Sequence, residues 1–183
     1  MRELKFHEKK LLKKVDFFSW KSEKNVREAS VIRRYLLLDR EDYHKYAKIA
    51  KHLMSLGSKL AKLPQSDVDR KQLSEGVLSK LYHMGVTKDT SSLTVLEKIS
   101  VSAFCRRRLP VLMVRLKMAE TLKEATTFVQ QGHVRVGPHV ITDPAFLVTR
   151  TFEDYITWVD SSKIKRTIMK YNERLDDYDL LGN

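Results

Sequence analysis

Cysteine and long apolar segments are nearly absent from this chain of 183 residues. Its single cysteine, Cys105, excludes an internal disulfide and a cysteine-rich zinc site, and it fits a reducing compartment such as the nucleus or the cytosol. The longest apolar runs, residues 35–38 and 111–114, are far too short to cross a bilayer. The basic N-terminus lacks an apolar segment of signal-peptide length, so we do not expect secretion.

Residue sets that could hold a metal or perform catalysis are also scarce. The six histidines are scattered, and only His133 and His139 lie close together, with no cysteine or carboxylate at ligand spacing. Cys105 precedes three arginines, which favour a reactive thiolate, but no histidine-plus-acid set accompanies it. The expected role of this cysteine is therefore that of a small buried residue. We expect no metal site, no cofactor, no small-molecule substrate and no enzymatic activity.

Positive charge is what the chain has in excess. Its 35 lysines and arginines outnumber 23 aspartates and glutamates, which gives a formal net charge of +12, and 42% of the residues are hydrophobic. That apolar fraction can fill a core, so the surplus charge must lie on a folded surface, where it attracts polyanions. Nucleic acid is the expected partner and an anionic membrane is the rival. Composition alone does not distinguish RNA from DNA.

Apolar residues at helical spacing dominate the first half of the chain. Residues 1–41 form a basic amphipathic arm, whose apolar stripe either covers the domain or binds a partner protein or RNA. Residues 42–100 predict a helical region: one helix over residues 42–63, and a second that starts after Ser66 or Asp67 and ends at Gly85. We expect these two helices to form an antiparallel pair. Their expected core positions are Tyr46, Ile49, Leu53, Leu56, Leu60, Leu63, Leu73, Val77, Leu81 and Met84.

Residues 101–160 carry the clearest local signals in the sequence. Pro110 suits the first turn of a helix whose apolar face is Leu109, Leu112, Met113 and Leu116. A capping box at residues 121–124 starts a second helix, which a glycine at position 132 ends. Alternating residues 133–136, a Gly-Pro turn and residues 140–141 predict a hairpin, and residues 155–159 predict a further strand.

The order of these elements predicts an α+β fold. A helical N-terminal region precedes two short helices and a small antiparallel sheet, and residues 161–183 add a C-terminal helix and an acidic tail. Ser161 or Ser162 can cap that helix, which carries Ile164, Ile168, Tyr171 and Leu175.

Cationic side chains gather on the two short helices and the strand after them. The second helix begins at Thr121, where unpaired N–H groups offer a site for a phosphate oxygen. Each cation taken singly is an ordinary surface charge, but several on one small rigid unit suit the backbone of a folded RNA. The predicted RNA-binding residues are Arg106, Arg107, Arg108, Arg115, Lys117, Thr121, Lys123, His133 and Arg135.

The segment from Cys105 to Arg150 resembles the alpha-L RNA-binding domain of the ribosomal protein S4 family. The resemblance rests on R-R-L-P, the capped second helix, G-H-V-R-V and the later P-A-F-L-V, which stand in that domain's order and spacing. It implies binding of structured RNA through the two helices and the hairpin.

Over almost its whole length the chain resembles the S4-related subunits of the U3 small nucleolar ribonucleoprotein. The stretches that carry this likeness are L-K-F-H-E-K-K-L-L-K-K-V-D-F-F-S-W-K, R-E-D-Y-H-K-Y and E-D-Y-I-T-W-V-D-S-S-K-I-K-R. The resemblance implies a ribosome-assembly factor of the small-subunit processome, in the nucleolus of the nucleus. Such a factor binds small nucleolar RNA and pre-ribosomal RNA and promotes their pairing during rRNA processing. The implied protein partners are a phosphoprotein scaffold and a Brix-domain subunit, and no membrane.

Three alternatives remain at this point. The chain could be a structural small-subunit ribosomal protein of the S4 family, although those proteins usually end in a basic, glycine-rich tail and this one ends acidic. An enzyme carrying the domain as an appendage would need a catalytic domain for which the chain has no room. A scaffold that binds proteins through its aromatic arm is the third alternative.

Overall fold

A computed structural model of the protein describes residues 2–14 and 22–174. Residues 15–21 of the predicted arm, Leu175 of the predicted C-terminal helix and the acidic tail lie outside the described residues. Within them the secondary structure confirms an α+β fold with helices at both ends and a small antiparallel sheet. The elements are α1 (Phe6–Lys14), α2 (Ser22–Tyr35), α3 (Arg40–Lys62), α4 (Val68–His83), α5 (Thr94–Glu97), α6 (Val101–Cys105), α7 (Leu109–Arg115), α8 (Leu122–Gln130), β1 (Val134–Val136), β2 (His139–Val140), α9 (Arg150–Glu153), β3 (Ile156–Trp158) and α10 (Lys163–Tyr171).

A first apolar cluster lies within the helical half. Its buried members come from the loop before α3 and from α3 to α6, and the rings of Tyr46 and Phe104 stack in it with centroids 5.7 Å apart. Gly57 permits a close approach between α3 and α5, because a methyl group on it would lie 3.0 Å from Cβ of Leu96. The buried residues of this cluster are Leu37, Tyr46, Ala50, Leu78, Leu81, Leu96, Ile99, Phe104 and Cys105.

Leu78 and Leu81 of α4 share the first cluster with Tyr46 and Ala50 of α3, and the antiparallel pairing expected of the two helices stays a prediction. Helix α3 packs mainly against α5 and α6, whereas α4 contacts α9 in the second half of the chain. The buried face of α4 therefore runs through Leu78 and Leu81, and Leu73 is left 55% exposed. Expected core positions on the outer side of this region are also exposed: Ile49, Leu63 and Met84.

A second apolar cluster joins α7, α8 and the sheet. Its buried residues are Leu109, Leu112, Met113, Ala125, Val129, Val134, Val136, Val148 and Ile156. Leu116, which was expected in this core, is 41% exposed. Helix α7 ends at Arg115, so Leu116 lies beyond the last turn that packs against the cluster.

The sheet is antiparallel throughout, with strand order β2-β1-β3. In the register, Arg135 lies opposite Val140 on one side and Thr157 on the other. The alternation predicted for β1 is confirmed: Val134 and Val136 are buried, and Arg135 between them is partly exposed. The sheet therefore presents Arg135 on the face opposite the core.

No helix within residues 2–14 and 22–174 is long and apolar enough to span a membrane.

Candidate nucleic-acid interface

The start of α8 has the geometry that the sequence predicts. Oγ1 of Thr121 accepts a hydrogen bond from the Glu124 N–H, and a carboxylate oxygen of Glu124 accepts one from the Thr121 N–H, each at 3.3 Å. The other N–H groups of the first turn have no partner within the helix, as in any α-helix. Thr121 and Lys123 are both exposed, so this end of α8 can approach a phosphate.

The connection between α7 and α8 holds Lys117 in an unusual backbone conformation. Its φ is +60°, the left-handed region that favours glycine. The N–H groups of Lys117 and Met118 donate to the carbonyls of Val114 (3.1 Å) and Met113 (2.9 Å), the two bonds of a Schellman motif. This motif turns the chain between the two helices and leaves the lysine exposed beside the start of α8.

Arg107 lies in the interior and is 5% exposed. Its Nε and Nη2 donate to the carbonyl of Val148 at 3.0 and 2.7 Å, and its Nη1 donates to Glu153 at 2.9 Å. Burial, and after it the positive charge of Arg150, lowers the pKa of Arg107. The donors of Arg107 are therefore used inside the protein, which corrects the prediction that this side chain binds RNA.

Arg108 is also buried, with 3% exposure. Its Nη1 donates to Oδ2 of Asp42 at 2.9 Å, which ties the start of α7 to the first turn of α3. We correct the prediction for this residue in the same way: a guanidinium held inside the protein by a carboxylate is not available to a phosphate.

Arg106 and Arg115 are exposed, but their side-chain partners lie away from the start of α8. Nε of Arg106 is 3.5 Å from the hydroxyl of Tyr35, in the helical half. Arg115 is 58% exposed and forms an ion pair with Glu153, the carboxylate that also binds Arg107. The three consecutive arginines therefore do not form one surface.

The strand side of the site contains two cations that share one carboxylate. Nη1 of Arg135 lies 2.8 Å from one oxygen of Asp160, and Nζ of Lys165 lies 2.5 Å from the other. The hydrogen bond from Lys165, and then the charge of Arg135, holds the pKa of Asp160 below its usual value. Lys165 was not predicted as a site residue, because nothing in its local sequence separates it from the other cations of α10.

His133 uses one ring nitrogen within the fold, and its role in RNA binding stays a prediction. Its Nδ1 lies 3.0 Å from Oγ of Ser162, the N-cap of α10, and its ring is partly buried. This contact positions α10 against the strand.

A groove of about 410 Å³ connects the α7–α8 junction with the strand cations. Met118, Ile156 and Trp158 give it an apolar lining, and the ring of Trp158 is held edge-on against Phe128. Arg135 and Lys165 line it as well, and Lys117 directly precedes Met118. We define the candidate RNA-binding surface as Lys117, Thr121, Lys123, Arg135 and Lys165, with this groove between them, and call it the RNA face.

The described residues offer no metal-binding cluster beside this face. Cys105 is fully buried, and its burial raises the pKa of the thiol to about 11, so the residue has the small, unreactive role that was expected. Residues 2–14 and 22–174 contain no cluster of three or more histidine, cysteine or acidic side chains that could hold a metal ion.

Two family models match consecutive parts of the chain. The ribosomal protein S4/S9 N-terminal domain matches residues 3–105, and the S4 domain matches residues 107–153. The point at which one match gives way to the other is also where the first apolar cluster ends and the second begins.

Curated relatives match nearly the full length. The U3 small nucleolar ribonucleoprotein protein IMP3 of Saccharomyces cerevisiae is 54% identical over 180 residues, and that of Homo sapiens is 51% identical over 181 residues; each alignment covers 98% of both chains. The small ribosomal subunit protein uS4 of Hyperthermus butylicus is 24% identical over 143 residues, which is 78% of this chain and 80% of that protein. This chain therefore belongs to the S4-related family of U3 small nucleolar ribonucleoprotein proteins.

Proposed function

We propose that this protein is an RNA-binding subunit of a U3 small nucleolar ribonucleoprotein that acts without catalysis. In the nucleolus it binds small nucleolar RNA and pre-ribosomal RNA and promotes their pairing during small-subunit rRNA processing. The observation that carries the proposal is the full-length identity to relatives named as U3 ribonucleoprotein proteins. A phosphoprotein scaffold and a Brix-domain subunit are the protein partners that we propose, and the small-subunit processome is the assembly.

The RNA face supports a mechanism based on charge neutralisation. Two RNA strands repel each other through their phosphates, and cations fixed on a rigid surface lower this repulsion. Lys117 and Lys123 flank the unpaired N–H groups at the start of α8. One phosphate can therefore be bound by both lysines and by these N–H groups together. Since Asp160 is 62% exposed, phosphate oxygens can replace its carboxylate at Arg135 and Lys165.

The groove supplies a second kind of contact. Trp158 and Met118 offer apolar surface between the two pairs of cations, and an unpaired base can pack against such a surface while its phosphates lie on the flanking lysines and arginine. An RNA strand held in this way keeps its bases from pairing within its own stem. Those bases are then available to pair with a complementary strand.

An annealing assay tests this mechanism. The protein should accelerate pairing of two complementary RNAs that each form a stem, and the Lys117→Glu/Lys123→Glu variant should lose most of the acceleration. A matched control is Lys51→Glu/Lys59→Glu, which reverses two exposed charges on α3 and should keep it. If both variants anneal RNA at the wild-type rate, the RNA face is not where pairing is assisted.

A structural ribosomal protein of the S4 family is the competing function. The much lower identity to the small-subunit protein, 24% against 54%, favours the assembly factor. Sucrose-gradient sedimentation of the tagged protein separates the two. An assembly factor should sediment with large precursors, and sedimentation with mature small subunits would contradict the proposal.

A further inference from the structure

A cleft of about 450 Å³ lies between the end of α4 and the elements α7 and α9, outside the RNA face. Four cationic side chains and one carboxylate line it, together with a glycine of the helical half. The cleft is therefore strongly positive, and it is formed jointly by the two halves of the chain. Its lining residues are Gly85, Lys88, Arg107, Arg115, Arg150 and Glu153.

The single carboxylate of the cleft is already neutralised. Glu153 pairs with both Arg107 and Arg115. Within the described part of the chain, neither Lys88 nor Arg150 forms an ion pair with an acidic residue. Four cations against one carboxylate leave three positive charges in the cleft without a counter-charge. Burial, and after it the charge of Arg150, lowers the pKa of Arg107.

Arg150 is held in place, but not all of its hydrogen-bond donors have a partner. Its guanidinium carbon lies 4.0 Å from the centroid of the Tyr82 ring, and its Nη2 donates to the carbonyl of Thr87 at 2.7 Å. Its Nε is nevertheless buried without a hydrogen-bond partner, as is Oγ1 of Thr87, a residue only 4% exposed. The guanidinium of Arg150 is fixed and only partly buried, so donors that the Thr87 carbonyl does not use can face an acceptor in the cleft.

We propose that this cleft is a second anion site, in which Lys88 and Arg150 bind a phosphate group of the RNA backbone. A phosphate supplies several acceptor oxygens and the negative charge that the cleft lacks, and a planar guanidinium can bind two of those oxygens at once. The volume of the cleft lies in the range of pockets that bind small ligands, so a phosphate group fits in it. RNA is the source of the phosphate because Arg115, a cleft residue, lies in the last turn of α7, two residues before Lys117 of the RNA face. The inference rests on the proposed function and extends the bound RNA from α8 to the helical half.

Salt-dependent binding of a labelled hairpin RNA tests the site. Lys88→Gln should weaken binding by at least about threefold and should reduce the log-log salt slope by about 0.7–0.9, the value for one phosphate contact. Lys88 is exposed and holds no other group, so this variant should fold normally. Arg150→Gln should have a larger effect on affinity, and its melting curve shows how much of that effect comes from lost stability. Lys51→Gln on α3 is the control and should keep the wild-type slope.

Lys117→Gln, measured in parallel, separates the two proposals. If Lys117→Gln weakens binding while Lys88→Gln and folded Arg150→Gln keep the wild-type affinity and slope, the second site is wrong and the RNA face stands. If none of the three changes RNA binding, neither the cleft nor Lys117 contacts RNA, and both the second site and the mechanism proposed for the RNA face fail. If Lys88→Gln leaves RNA binding intact but abolishes binding of a phosphoserine peptide, the cleft binds a phosphorylated protein, and the inference about RNA is overturned.

Discussion

Three adjacent arginines illustrate how position decides the role of a charged side chain. Arg106 is exposed, whereas Arg107 and Arg108 point into the protein and bind Glu153 and Asp42. Their partners are 46 and 66 residues away in the chain, so no local pattern could identify them. The sequence shows three adjacent cations but could not separate the residues that hold the protein together from the one that faces solvent.

Arg107 should therefore matter for stability. Replacing it with Gln leaves the Val148 carbonyl and Glu153 short of donors in the interior, and breaking a buried charge pair costs about 3–5 kcal/mol. We expect a corresponding loss in the free energy of unfolding, measured by urea denaturation. Arg106→Gln is the matched control and should change stability by less than about 0.5 kcal/mol. A fully stable Arg107→Gln variant with weakened RNA binding would restore the original interpretation.

Lys117 should behave in the opposite way. Its left-handed backbone suits glycine, so Lys117→Gly should raise the free energy of unfolding by up to about 1 kcal/mol. The same change removes a cation from the RNA face and should lower the salt slope of RNA binding by about 0.7–0.9. Greater stability together with weaker binding would mark the lysine as functional. An unchanged RNA affinity would mean that this position is not in contact with RNA.

The element scale is where sequence prediction works best in this protein. Helix α8 was predictable at both ends, because its capping box and the left-handed Gly132 act within a few residues of each other. The short helices α6 and α9 and the packing of α4 against α9 were not predicted. These features depend on contacts between distant segments, which local periodicity does not record.

The carboxylate at the start of α8 provides a test of how this helix binds an anion. Glu124 completes the capping box, but its negative charge also opposes a phosphate at the same end. Glu124→Gln can keep the hydrogen bond to the Thr121 N–H and should therefore preserve stability while strengthening RNA binding by a few fold. Thr121→Ala, in contrast, should cost about 1 kcal/mol of stability. Weaker RNA binding by Glu124→Gln, with the fold intact, would contradict a phosphate site at this end of the helix.

At the scale of the whole molecule, two apolar clusters are joined by charged contacts. The Arg108–Asp42 pair links α7 to α3, and Arg150 binds the carbonyl of Thr87 after α4. A cationic composition indicated nucleic-acid binding, but some of the cationic side chains form ion pairs and hydrogen bonds within the protein at this junction. The predicted division of the chain at residues 41, 100 and 160 stays a prediction, and the roles of individual RNA-face residues await the tests above.

Cys105 reports on the integrity of the first cluster. It is fully buried and its thiol has a pKa raised to about 11, so iodoacetamide at pH 8 should modify the native protein only when the cluster opens. The extent of alkylation should follow the urea unfolding curve measured by circular dichroism. Rapid modification of the native protein would show that the helical half opens without global unfolding.

Replacement of Gly85 by any other residue should disturb the junction between the two apolar clusters. A β-carbon there would lie 2.8 Å from the guanidinium of Arg107, whose position three hydrogen bonds fix, and the backbone φ of +75° already disfavours a side chain. A missense allele at this codon, although it falls in the helical half of the chain, should thus resemble alleles of the S4-type half. Second-site suppressors should arise more often around Arg107 and Glu153 than within α4, because changes there can displace the guanidinium.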